Sequence, residues 1–200
     1  MSMSFGFTEE ERVVDHNPLR RAITQATFER KDKILFFASA GNEGANTRKV
    51  MFPARHELVI PIYGTDATGG FLEALNPRIK RDGPSIFGTL AQEVPCSTPH
   101  EEGEVFVTGK SFATAIAAGI AGMLLQYVQI LEQKKMRNDA VAIALDWMDQ
   151  LSTQRGMLAL FQNMAEQPPD RRYYLDPVRF FQQPEEVREA NIITAVDSSK

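Results

Sequence analysis

The stretch from Ser111 to about Lys135 constrains the fold more than any other part of the sequence. It has helical spacing, is apolar on nearly every side as far as Leu125, and only then turns polar and basic. A helix of that kind belongs at the centre of a domain, and the 200-residue chain is long enough to build a core around it. The next constraint is Ile34-Leu35-Phe36-Phe37-Ala38, a continuous apolar run after Lys31-Asp32-Lys33, which predicts a strand covered on both faces in a parallel sheet. Ahead of it, Asn17 and Pro18 supply an N-cap and a first helical residue, with Leu19, Ala22, Ile23 and Ala26 at helical spacing to about Arg30. Met1 to Phe7 reads as a further strand, so the order strand, helix, strand gives a βαβ unit. The predicted class is α/β, a parallel sheet flanked by helices.

A second buried strand is expected over Leu58–Tyr63, where Pro61 removes a ladder donor and argues for an edge or a short strand. Residues 64–108 hold many of the glycines and prolines and read as loops with short hairpin strands, for example around Ser85–Leu90. Further helices are predicted at Asp139–Leu151 behind an Asn138 cap and at Gln154–Ala165 behind Thr153. Pro168-Pro169-Asp170 breaks the chain, Asp176-Pro177 starts a short helix through Phe181, and Thr194–Lys200 is polar enough to fray. This organisation divides the chain into a domain over residues 1–165 and an extension over 166–200 that packs on it.

Charge narrows the choice of partners. Lys and Arg number 22 against 26 Asp and Glu, a net charge of −4, and no basic run follows a phosphate backbone, so nucleic acid is not expected as a partner. No stretch is expected to reach the ~20 apolar residues that cross a bilayer, so no membrane association is expected, and no export signal is evident; the compartment stays open. The single Cys96 makes no internal disulfide, and three scattered histidines with one cysteine do not make a zinc site, so neither a metal nor a cofactor is expected.

Two segments carry chemistry. In Ala38-Ser39-Ala40-Gly41-Asn42-Glu43-Gly44 a buried strand runs into a glycine-flanked turn with an amide at its tip. The carboxyl ends of parallel strands form the ligand crevice of open α/β sheets, and the Asn42 NH₂ can donate to a developing negative oxygen. Taken alone, the segment reads first as a tight turn. The other segment is Thr108-Gly109-Lys110-Ser111-Phe112-Ala113-Thr114-Ala115, which places a serine at the very start of the buried helix, near unsatisfied N–H groups and the positive end of the dipole. A serine is also a favoured N-cap, and an Ala- and Gly-rich helix can reflect packing alone.

In this order and at this separation, the pair resembles the subtilisin-like serine peptidases, or subtilases. Ala38 to Gly44 is similar to the family's Ala-Ala-Gly-Asn-Glu-Gly segment, and Gly109 to Ala115 to its Gly-Thr-Ser-Met-Ala-Thr-Pro segment. Ser4-Phe5-Gly6 lies where the family has a Ser-x-Gly strand, and Phe52-Pro53-Ala54 with Val59-Ile60 lies where it has Tyr-Pro-Ala and an apolar strand. The resemblance covers Met1 to Leu131. It implies Ser111 as nucleophile and Asn42 as oxyanion donor, with Ser4, Phe5, Gly6, Ser39, Ala40 and Gly41 as the walls that hold an extended peptide or protein substrate. Small residues on both walls suggest a cleft open to a bulky side chain. The fold it implies is subtilisin-like, lacking the N-terminal part of the domain.

Three departures qualify the resemblance. Ala115 replaces a proline that would fix the first helical turn, and Lys110 replaces a threonine and is expected to reach solvent. The family's Asp-Thr/Ser-Gly and His-Gly-Thr motifs, which precede the Ser-x-Gly strand in the subtilisin order, are absent. His16 and His56 read as surface or helix-edge residues; His100, eleven residues before Ser111 and beside Glu101, Glu102 and Glu104, lies outside any family base motif. Without a base the serine is a poor nucleophile, and in subtilisin loss of the histidine costs about 10⁶-fold in kcat. The expectation is therefore a serine endopeptidase fragment, inactive as this chain alone, whose Asp and His come from an N-terminal segment. The alternative is a noncatalytic relative that binds peptides without turnover.

Overall fold

A computed structural model of the chain describes residues 1–7, 17–41, 50–77, 83–97, 103–138, 146–165 and 170–200. Its centre is a five-stranded sheet in the order β1 (Ser2–Met3), β2 (Phe36–Ser39), β3 (Val59–Thr65), β4 (Ile86–Leu90) and β7 (Arg172–Tyr174), with every neighbouring pair parallel. A two-stranded antiparallel hairpin, β5 (Val94–Ser97) with β6 (Glu104–Val107), leads from β4 to the long helix α2 (Lys110–Asn138). Strand alternation sorts side chains onto two faces. Phe36, Ala38 and Val59 join Ile23 of α1 (Pro18–Glu29) in one cluster. Phe37, Ile60, Ile62 and Phe87 join α2, α3 (Trp147–Leu151), α4 (Gln154–Met164), α5 (Pro177–Gln182) and α6 (Glu185–Ser199) in the larger one.

The βαβ start is as expected. Asn17 caps α1 by accepting from the Leu19 and Arg20 amides at 2.9 and 3.2 Å, and β2 is buried along its whole length. Thr153 and Asp176 likewise cap α4 and α5 through the amides of Gly156 and Arg179. Elsewhere the structure corrects the sequence reading. Pro61 does not lie on an edge: β3 is the middle strand of the five. The Ile62 carbonyl accepts from Ala40 on the β2 side, so Pro61 faces the β4 side, and β4 pairs with β3 only from Ile62 onward. The missing N–H therefore falls just ahead of that ladder. Residues Ile86–Leu90 are a core strand and not a hairpin arm. A Cβ on Gly88 would meet Thr65 at 2.8 Å and the Phe71 ring at 2.9 Å, so the glycine serves close packing.

Helix α2 runs on to Asn138, which makes Asn138 the end of one helix and not the cap of the next; the predicted start at 139–145 lies outside the described residues. The described helix α3 begins at Trp147, where Glu132 of α2 accepts from the Met148 amide at 2.9 Å. By length and composition α2 is also apolar enough to cross a bilayer, contrary to the expectation that no stretch qualifies. Here one side of it lies on the sheet through Ala113, Ala117, Ile120, Ala121, Leu124, Val128 and Leu131. The C-terminal end does not fray at Thr194: α6 continues to Ser199, anchored by buried Ile192, Ala195 and Val196.

Candidate active site

Three chain segments converge at the carboxyl ends of β1 and β2. Ser4 leaves β1, Ser39 ends β2, and Ser111 is the second residue of α2, where first-turn N–H groups have no partner within the helix. Ser4 and Ser111 hold each other through two hydrogen bonds. The Ser111 Oγ donates to the Ser4 carbonyl at 3.1 Å, and the Ser4 Oγ donates to the Ser111 carbonyl at 3.0 Å. The hydroxyl at the start of the helix is thus fixed against the first strand of the sheet, and the half-buried Ser111 remains open to an approaching group.

Ser39 and Ala40 are buried, Phe5 is 49% exposed, and Gly41 has φ +115°, a conformation suited to glycine. Gly6 and Gly41 meet through one side chain. A Cβ on Gly6 would lie 3.0 Å from Met51 Cβ, and one on Gly41 would lie 2.8 Å from Met51 Cγ. Met51 therefore packs against both glycines, filling the space a side chain on either would need. Sequence reasoning missed Met51 because its neighbours lie far from it along the chain; the only signal was its place immediately before Phe52-Pro53-Ala54.

Lys110 also differs from the sequence reading. It is 0% exposed, its stem packs 3.1 Å from a Cβ position on Gly64, and its Nζ donates to the Leu75 carbonyl. Burial pulls its ammonium down to about 8. The absence of a side chain at Gly64 leaves the room that turns this lysine inward and away from solvent. Asn76 braces the same loop, with its amide bonded to both the N–H and the carbonyl of Gly64 at 2.8 and 2.7 Å.

Among the histidines, His56 is buried at 2% exposure and not on the surface. It packs against Phe52, with Nδ1 accepting from the Leu58 amide at 3.1 Å, which places its ring proton on Nε2. Asn42, His16 and His100 lie outside the described residues.

The family model described as Subtilase family matches residues 1–167. Among solved structures, the prenylagaramide maturation protease PagA is similar with a TM-score of 0.57 at 17% identity, over 100% of this chain and 61% of that chain. The self-cleaved protease domain of PatA gives 0.57 at 20% identity, over 98% of this chain and 61% of that one. The PatG macrocyclase domain gives 0.58 at 15% identity, over 96% and 50%. At these identities the likeness is one of fold, and the chain spans 50–61% of the length of these structures. No curated protein matches the chain.

Proposed function

We propose, from the premise that this chain belongs to the subtilase family, that it is the nucleophile-bearing part of a serine endopeptidase site, inert by itself and active when a further segment supplies the acid and base. The observation that carries this reading is the Ser111 hydroxyl held at the sheet's carboxyl edge on the Ser4 carbonyl, 3.1 Å away. In the reaction, Ser111 Oγ attacks the carbonyl carbon of a peptide bond while its proton passes to the supplied histidine. The tetrahedral oxyanion takes hydrogen bonds from the Ser111 N–H and the Asn42 amide, the amine leaves with that proton, and water then cleaves the acyl-enzyme.

The Ser4 carbonyl has two uses in this scheme. Without a base it accepts the Ser111 proton; once the hydroxyl swings to an imidazole, the same carbonyl is free to accept an N–H of an extended substrate. Met51 between Gly6 and Gly41 restricts the adjoining side chain to a small one, since a larger residue would have to displace it. Peptide hydrolysis by the chain joined to an acid- and base-bearing subtilase segment tests the reading. Cleavage beside alanine, absent in Ser111→Ala and absent in the chain alone, is the expected result; cleavage that survives Ser111→Ala contradicts it.

A further inference from the structure

The first turn of α2 is fastened to three strands of the sheet. The Ser4–Ser111 pair fastens it to β1. Ala91, just past β4, fastens it to the other side: its N–H donates to the Thr65 carbonyl and its carbonyl accepts from the Gly109 N–H, each at 2.8 Å. Thr108 adds to that join by accepting from the Glu93 amide at 3.1 Å, with Glu93 held at φ +53°. The tie to β3 is of another kind, because it runs through a side chain. Lys110 Nζ donates to the Leu75 carbonyl in the loop after β3, and that loop is bound back to β3 by the two Asn76–Gly64 hydrogen bonds. A Cβ on Gly64 would meet Ala91 Cβ at 2.7 Å, Lys110 Cγ at 3.1 Å and Leu75 Cδ1 at 3.6 Å, so three segments meet over that one glycine. A Cβ on Gly119 or Gly122, further along α2, would meet no atom within 4 Å.

Stability does not call for a lysine at this place. A methionine or leucine would fill the space over Gly64, whereas an ammonium there is cut off from water and sits at the positive end of the helix dipole. Gly64, Ala91 and Leu75 face it across the contact, and Thr114 on α2 itself donates to its carbonyl at 2.8 Å; none of these groups ionises. Burial alone brings its ammonium down to about 8, so no charged group among the described residues offsets the charge. What the lysine adds beyond an apolar residue is one directed bond to the Leu75 carbonyl, which a charged donor makes about twice as strong as a neutral one does.

We propose that Lys110 is a positioning residue for Ser111: its bond to the Leu75 carbonyl sets the first turn of α2 against the carboxyl end of β3 and thereby holds the Ser111 hydroxyl on the Ser4 carbonyl. The effect on turnover rests on the catalytic reading above; the effect on the Ser4–Ser111 contact does not. Stability and position then respond to pH in opposite directions. Loss of the Lys110 proton removes a buried charge, so the fold gains stability as pH rises from about 8 toward 10.5. The same loss weakens the bond to Leu75, so the start of α2 loosens as pH rises through about 8. A lysine that served the fold alone would leave Ser111 equally or better ordered as the fold gained stability.

NMR titration of the full chain from about pH 6.5 to about pH 9.5 tests this, following Lys110 Nζ, the amides of Ser4 and Asn76, and the Hα–Hβ couplings of Ser111. One transition common to Lys110, Asn76 and Ser4 is expected, with the Ser111 couplings moving from those of one rotamer toward averaged values on its alkaline side while the urea midpoint rises. In Lys110→Met the couplings should be averaged at every pH; should that variant fail to fold, the wild-type titration decides. In the chain joined to an acid- and base-bearing subtilase segment, Lys110→Met should lower kcat at least about tenfold with KM within about twofold. A Lys110 transition that leaves Ser4 and the Ser111 couplings unmoved, a Ser111 side chain that gains order as the fold gains stability, or an unchanged kcat in Lys110→Met overturns the proposal. A common transition in a joined enzyme that cleaves nothing keeps the positioning and rejects the catalytic reading; Ser111-dependent cleavage without that transition does the reverse.

Discussion

At the scale of single residues, the site is set by what surrounds each side chain. The place of Ser111 at the start of α2 was legible because a small polar residue heads a long apolar helical run. Lys110 and Met51 were not, because a lysine's default is solvent and only the empty space over Gly64, or between Gly6 and Gly41, turns these side chains inward. Burial lowers Lys110 from 10.5 to about 8, so between those values the unfolded chain holds a proton that the folded chain has lost. The lysine's contribution to stability therefore rises with pH across that window, by at most about 1.4 kcal/mol per unit, and its penalty is greatest below it. Urea midpoints at about pH 8 and about pH 9.5 should show this rise in the wild type relative to Lys110→Met. For Met51, replacement by glycine in the completed enzyme should raise kcat/KM beside phenylalanine at least about tenfold relative to alanine. An unchanged ratio means that Met51 does not line the substrate's side-chain site.

At the scale of elements, the periodic signals were readable and the packing-dependent ones were not. α1, β2, α4 and α5 follow from caps and apolar runs that need no tertiary partner to be recognised. β3 and β4 were obscured by Pro61 and Gly88, whose backbone demands are met only by neighbouring strands and Phe71. β7 and α6 were missed, as three residues around Tyr173 and a mostly polar helix acquire their stability from β4 and from α4. The same contrast predicts opposite effects of one substitution. Gly119→Ala and Gly122→Ala should each stabilise the isolated chain by about 0.5–1 kcal/mol. Gly88→Ala should destabilise it by about 1–3 kcal/mol, because the new methyl group meets Thr65 and Phe71. Denaturant titrations of the three variants check both signs.

At the scale of the whole molecule, the chain is a partial subtilisin-like domain: a parallel sheet with a packed core on both faces, with β1 at one edge among the described residues and α2 half uncovered. The core on both faces of the sheet explains how the described part of the chain holds its shape. On the proposed reading catalysis depends on assembly, since a hydroxyl without a base retains little of the rate of the full set. The most direct measurement is intact-mass detection of fluorophosphonate adducts on the chain alone, on the chain assembled with the acid- and base-bearing segment, and on Ser111→Ala in that assembly. The account predicts one adduct, at Ser111, in the wild-type assembly and none in the other two. An adduct that persists in Ser111→Ala, or a wild-type assembly that forms and stays unmodified, contradicts it.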